Sequence, residues 1–393
     1  MLDPTEPVVL TELAIWDGEA FIDADAIAFH EGKITAVGDS GDLTEGAQRL
    51  SLPGTTIIPG LIDAHVHMVL NPDDKSPPAA KDVPDTGAME TRAARMVESG
   101  ITTARDLGGG AWYELALRDS INAGEIPGPR LLCAGQPVTS PHGHCHFWRG
   151  EAADADEAVA VAQRQIERGV DWIKVMVTGG RITKGSDPLL AQFDLATLCR
   201  IVATAHSASL PVAAHCHGTA GISLAAEAGV DTIEHCSWVG EAGWAADYQS
   251  AVADTIVKND IWISPTVNAG WQRMLDGTGA TLERIRKALQ MMRAKNTLFM
   301  ASTDAGIPGV YHHHLPQALD VYRKITQTSA EHTLATATSA AARGLGISQQ
   351  TGRLLPGLAA DLLVLDGNPL TDISALTRPV AVWASGREIL APT

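Results

Sequence analysis

The middle of the chain repeats one alternation, and that alternation limits the fold more than any other feature. Eight apolar runs read as strands: IIPGLIDAHVH, GITTARDL, GPRLLCAG, VDWIKVMV, LPVAAHCH, VDTIEHC, DIWISPTV and NTLFMASTDAG. Ala-rich amphipathic stretches such as DADEAVAVAQRQIERG and FDLATLCRIVATAHSA lie between them, with acidic starts and Gly or polar stops. Eight strand–helix units predict an α/β chain folded as a (β/α)8 TIM barrel, whose chemistry gathers at the C-terminal strand ends.

The two ends have another texture. VVLTELAIWDG, AFIDADAIAFHEG and KITAVGD read as short strands between Asp-Gly, Glu-Gly and Gly-Asp turns. GRLLPGLAADLLVLDGNPL and AVWASGREI repeat that pattern at the far end. Neither piece can build a good core alone, so both are expected to meet in one small β-sandwich. The expected division is 1–57 and 350–393 for the sandwich and 58–349 for the barrel. The segment NPDDKSPPAAKDVPD, residues 71–85, is the most loop-like stretch and a candidate substrate lid.

Composition removes several classes of function. A net charge of −17 argues against nucleic acid or an anionic membrane as partner. No apolar run reaches the roughly 20 residues of a membrane span. The start, MLDPTEPVVL, lacks the basic and apolar regions of a signal peptide. Five cysteines without paired spacing point to a reducing compartment, so the expected location is the cytoplasm. Histidine is the unusual component: there are fourteen, and many cluster near predicted strand ends.

In the first barrel strand, His65 and His67 share a face because side chains alternate along a strand. Two imidazoles side by side can hold one borderline-soft cation such as Zn²⁺. Further along, Lys174, His215, His235 and Asp304 fall in or at the ends of the fourth, fifth, sixth and eighth strands. Taken singly, each has an ordinary structural reading; Asp304, for instance, could cap the next helix. Lys174 is the sharpest, because an unpaired ammonium inside WIKVMV would cost several kcal/mol. A lysine there is expected to be neutral, and near metal ions a neutral lysine can react with CO₂ to give an anionic carbamate. Cys216 and Cys236 follow His215 and His235 directly and are expected to face the helices as buried thiols. His217 shares a face with His215 if the strand continues that far.

The order HxH, Lys, His, His, Asp, with PGLIDAHVH before it and GRLLPGLAADLLVLDGNPL after it, resembles the amidohydrolase superfamily. The resemblance implies that His65, His67 and Asp304 bind one divalent ion and His215 and His235 another, with carboxylated Lys174 bridging. Zinc is the expected metal. It further implies a bridging hydroxide as nucleophile, with Asp304 as general base and acid. GITTARDLGG, DWIKVMVTGG, AAHCHG, TIEHCS and STDAG are similar to the imidazolonepropionase and Xaa-Pro dipeptidase-like branch. Relatives there hydrolyse Xaa-Pro dipeptides, N-acyl amino acids and aryl ureas, and are commonly homo-oligomers.

The residues expected at the rim depart from that branch. Where relatives carry a tyrosine three residues after the sixth-strand histidine, this chain has Trp238, with one N–H donor and no titratable hydroxyl. The third strand leads to TSPHGHCH, in which His142 matches the family's Gly-Gly-His-Gly histidine. His142 is therefore the expected contact for a substrate carbonyl or carboxylate, with His144 beside it. Arg181 is a candidate carboxylate partner. Trp148, Trp238 and Tyr311 are expected at the barrel mouth, where they would favour a flat or aromatic small-molecule substrate. His312, His313 and His314 cannot all face one point and more simply edge the pocket. A mononuclear deaminase is disfavoured because Gly218 stands where such enzymes carry Glu. A urea, carbamate, lactone or phosphotriester substrate stays open, since metal-hydroxide chemistry does not choose among electrophiles. A dead scaffold should have lost ligands, and none is missing.

Overall fold

In the computed structural model, residues 6–43, 46–79, 82–277 and 279–392 are described. The first residues read for a signal peptide and residues 80 and 81 of the expected lid lie outside them. Four strands open the chain: β1 (Val8–Ile15), β2 (Ala26–His30), β3 (Lys33–Gly38) and β4 (Gln48–Pro59). The barrel strands follow: β5 (Leu61–Val66), β6 (Ile101–Asp106), β7 (Arg130–Cys133), β8 (Ile173–Met176), β9 (Val212–Gly218), β10 (Thr232–Val239), β11 (Trp262–Ser264) and β12 (Leu298–Phe299). Three more close the chain: β13 (Leu362–Asp366), β14 (Pro379–Ala384) and β15 (Arg387–Leu390).

All eight expected barrel strands form, and each pair of neighbours runs parallel. The seams on either side of the β5–β7 group close through single contacts. The Val138 N–H donates to Lys174 O and the His67 N–H to Ala305 O, at 2.8 and 2.7 Å. Helices such as Thr86–Glu98, Ala155–Glu167 and Leu195–Ser207 cover the outside, each capped by an aspartate that accepts from first-turn N–H groups. No helix among the described residues is long and apolar enough to cross a membrane.

The two chain ends interleave in one seven-stranded sheet of order β15-β14-β13-β4-β1-β2-β3. β4 pairs parallel with β1 and antiparallel with β13, which sets Ile57 opposite Val364. The sheet folds back on itself: the Ile34 N–H donates to Leu358 O and the Ala360 N–H to Gly32 O, both at 2.9 Å. The resulting sandwich encloses Leu10, Ile15, Ile27, Phe29, Ile57, Leu362 and Trp383, the core that neither end could bury alone. β4 passes into β5 through Gly60, where an added Cβ would lie 2.1 Å from Thr102 Oγ1. Only glycine allows that approach, so the sandwich feeds the first metal-site strand through a fixed joint.

The strand ends above the site bend in unusual ways. His235 (φ 64°), Cys236 (φ 47°), Trp238 (φ 48°) and Asp304 (φ 61°) all lie in the left-handed region, which costs a non-glycine residue energy. The register between β9 and β10 shifts at His235, as at a bulge. Strict alternation would turn Glu234 and His235 to opposite faces; the twisted backbone lets both reach the barrel interior.

Candidate metal centre

β5 supplies the first half of the site. His65 Nε2, His67 Nε2 and Asp304 Oδ1 converge, each pair 3.3 Å apart. The other ring nitrogens are occupied: His65 Nδ1 lies 2.9 Å from Glu234 Oε2 and His67 Nδ1 3.1 Å from Gly108 O. Carboxylate and carbonyl partners hold the proton on Nδ1 and leave both Nε2 lone pairs facing Asp304, as metal-binding imidazoles require. Burial works against the Asp304 carboxylate, yet the surrounding His65, His235 and His67 hold it well below the usual carboxylate range. It stays ionised.

The second half comes from β9 and β10. Ligand atoms of His215, His217 and His235 lie within 4.8 Å of one another, and so do those of His65, His235 and Asp304. His215 Nε2 is 3.1 Å from Gly179 O, His217 Nδ1 2.9 Å from Ser237 Oγ, and His235 Nδ1 2.7 Å from Thr266 Oγ1. One nitrogen of each ring therefore stays free. β9 continues to Gly218, so His217 does share the face of His215 and stacks on His235 at 4.6 Å. Cys216 and Cys236 face away into the core.

Lys174 lies at the floor of this cavity. It is 1% exposed, and its Nζ has no hydrogen-bond partner. Burial, helped by the Arg105 charge and opposed by Glu234 and Asp304, lowers its pKa to about 8. A buried amine without a hydrogen-bond partner, lining the same cavity as two groups of converging donors, fits a carbamate ligand for divalent cations. The donor chemistry fits divalent ions such as Zn²⁺.

Below the donors lies a buried ion pair that alternation alone did not reveal. Arg105 Nη2 and Glu234 Oε1 are 2.8 Å apart, and both residues are fully buried. Arg105 also donates to Ala64 O and Thr232 Oγ1, at 2.8 and 3.0 Å, and its guanidinium lies over Trp172. Burial opposes the Glu234 charge, but Arg105 and His65 outweigh it and hold the carboxyl far below its ordinary range. Glu234 thus links Arg105 to His65, orienting that imidazole through a fixed carboxylate. A charged residue inside TTARDL or TIEHC is the same signal that singled out Lys174.

The rim differs from the sequence expectation in three places. His142 is exposed; its N–H donates to Glu151 Oε1 at 2.7 Å and it does not line the metal cavity. His144, two residues on, is buried in the cavity wall with its ring 4.5 Å from His215 and Nδ1 unpartnered. The tight turn through Gly143 sends these two histidines to opposite sides of the loop. Trp238 is 1% exposed, with Nε1 donating to Met292 Sδ at 3.2 Å, because the left-handed backbone of β10 swings it into the helix layer. Tyr311 donates to Asp73 Oδ1 at 2.6 Å and lines a neighbouring cavity. Trp148 is buried against His67 at 5.0 Å. The three histidines diverge: His312 Nε2 lies 3.0 Å from His67 O, while His313 and His314 pack edge to face.

The metal cavity measures about 490 Å³. Above the donors its walls are Met176, Ile182, Trp244, Trp271, Ile285 and Ile307, with Arg181 and Arg273 at the rim. Trp244, Trp271 and Arg273 carry no strand or motif context in the sequence and become visible only in three dimensions.

Comparison with known proteins places the chain among relatives of one family. The sequence model of the amidohydrolase family matches residues 56–389. Ochratoxinase from Aspergillus niger is 28% identical over 422 aligned positions, which cover 96% of this chain and 85% of that one. Imidazolonepropionase from a Bradyrhizobium species is 24% identical over 388 positions, 89% of each chain. A solved Xaa-Pro dipeptidase with methionine bound in its active site aligns with a TM-score of 0.82 at 25% identity, over 97% of this chain and 99% of that one.

Proposed function

The chain belongs to the amidohydrolase family, and from that premise we propose that it is a binuclear metal hydrolase cleaving an amide-type C–N bond in a dipeptide or N-acyl amino acid. Family membership makes it a metal-dependent hydrolase of C–N bonds. A relative named for Xaa-Pro dipeptides supports an amide rather than a phosphotriester. The observation that carries the two-metal reading is the buried, unpartnered amine of Lys174 in the cavity that both donor groups line.

In this reading His65, His67 and Asp304 would hold one ion and His215 and His235 the other, with Lys174, as its carbamate, a further anionic ligand. The metals, when bound, supply Lewis acidity that activates a water and polarises the scissile carbonyl. Asp304 accepts the proton of the attacking water and passes it to the leaving nitrogen. His144 takes the role the sequence suggested for His142, donating a hydrogen bond toward the carbonyl oxygen as charge develops there. Burial pushes the His144 pKa down to about 3, so its ring is a neutral donor at neutral pH. The apolar walls keep bulk water from the reacting centre.

Lys174→Ala is the direct test. Metal content measured by mass spectrometry should fall from two ions per chain, and hydrolysis of an N-acyl amino acid should drop at least a thousandfold. Short carboxylic acids such as propionate should restore part of both by standing in for the carbamate. Full activity with two metals in that variant would end the bridged-lysine reading.

A further inference from the structure

The rim of the metal cavity carries two arginines in a chain whose net charge is −17. Arg181 lies over Trp244 with its guanidinium carbon 4.8 Å from the ring centre. Arg273 follows Trp271 in the segment after β11 and lines the same cavity. Among the described residues neither guanidinium forms a salt bridge or hydrogen bond, and the one carboxylate lining the cavity is Asp304 at its floor. Other arginines here do meet an acid: Arg105, Arg118, Arg200, Arg286 and Arg353 each have an acidic partner. Two guanidinium groups without acidic partners at the rim, beside the tryptophans of the upper wall, are a ready site for an anion.

We infer that Arg181 and Arg273 form an anion subsite that holds the carboxylate of the substrate, while Trp244, Trp271, Ile182 and Ile285 receive a bulky, flat apolar group. Resting on the hydrolase reading above, this selects one substrate class: amides with a free carboxylate on one side of the C–N bond and an aromatic acyl or side chain on the other. Neutral anilides, ureas and carbamates leave both guanidinium groups unpaired in the complex and are poor substrates. The tryptophan beneath Arg181 fixes its plane, so a carboxylate meets a pre-oriented fork and not a freely moving chain.

The experiment uses two matched probes on the metal-loaded full chain. N-(2-naphthoyl)-L-phenylalanine and its primary carboxamide serve for turnover. The corresponding naphthylmethyl amines, which lack the scissile naphthoyl amide, serve for calorimetric binding. The acid is expected to exceed the carboxamide in kcat/KM by about a hundredfold, mostly through KM. Arg181→Gln and Arg273→Gln should each weaken the acid by roughly tenfold to a hundredfold and leave the carboxamide within about twofold. Turnover of both probes at equal efficiency, or an acid preference that survives the double variant, overturns the subsite. Arginine-dependent binding of the acid without turnover keeps the subsite and instead refutes the amide-hydrolase reading. Absence of arginine-dependent binding to the inert pair refutes the subsite whatever the turnover.

Discussion

Two cavities open side by side at the mouth of the barrel, separated by the His67 and Trp148 rings. The larger, about 600 Å³, is walled by the segment after β5 and offers Asp73, Asp74, Asp82 and Asp85 opposite Arg92, Arg95 and Arg149. The smaller, about 490 Å³, has a floor of histidines with Lys174 and Asp304, and apolar walls above. Size alone would favour the first. In the larger cavity several groups pair with near neighbours, as Tyr311 does with Asp73 and Asp85 with the Ala88 N–H. In the smaller, second-nitrogen partners leave lone pairs free, and Lys174 has no partner at all. Unmet bonding capacity held in place by satisfied bonds behind it marks the functional chamber.

That contrast breaks most visibly at the histidines. His144→Ala removes a donor inside the smaller chamber and should lower kcat/KM by roughly a hundredfold to a thousandfold. His142→Ala touches only the outer face of the same loop and should stay within about twofold, as should Tyr311→Phe in the larger cavity. Steady-state kinetics on one N-acyl amino acid ranks all three. If His142→Ala proved the more damaging, the placement of the two histidines about Gly143 would be wrong for the working enzyme.

A smaller effect is expected from Glu234→Gln. The variant keeps an acceptor for His65 but loses the charge that fixes its tautomer, so zinc affinity should weaken about tenfold to a hundredfold. Competition with a chromophoric chelator measures this. The Tm should fall as well, because Arg105 keeps a buried charge without its counter-ion. A lower Tm with unchanged zinc affinity would make Glu234 a counter-ion for the fold and nothing more.

The barrel was legible because its strands are buried on both faces and read as apolar runs, and because polar residues among them stand out. HxH, Lys174, His215, His235 and Asp304 could be found that way, and the structure brings all six together. The rim was not legible for a backbone reason. His142 and Trp238 were expected in the site from their match to motif positions of the family, and left-handed backbone at both residues turns one outward and the other into the core. Glu234 and Arg105 were legible in principle, as charges inside apolar strands. Arg273, Trp244 and Trp271 follow from tertiary packing alone.

The smallest expected effect tests the other side of the dividing wall. Glu114, near the larger cavity, resembles Lys174 in being fully buried with no hydrogen-bond partner for its carboxyl oxygens. Its surroundings differ: Gly109 packs directly on the carboxyl, and Asp106 accepts from Met68 and Gly108 without sharing a donor. Burial first, then the Asp106 charge, pushes the Glu114 pKa up to about 8, with Arg118 opposing weakly. The folded chain therefore keeps a proton that the unfolded chain loses in the usual glutamate range. That contribution to stability is whole at acid pH and disappears as pH climbs from the ordinary glutamate value to about 8. Glu114→Gln cannot ionise, so its Tm should match the parent near pH 5 and exceed it by roughly a few degrees at pH 9. Activity should follow the parent throughout, because no donor set converges on Glu114 as it does on Lys174. A Tm difference that is the same at both pH values would mean Glu114 is already ionised in the fold; loss of activity with retained Tm would move chemistry across the wall.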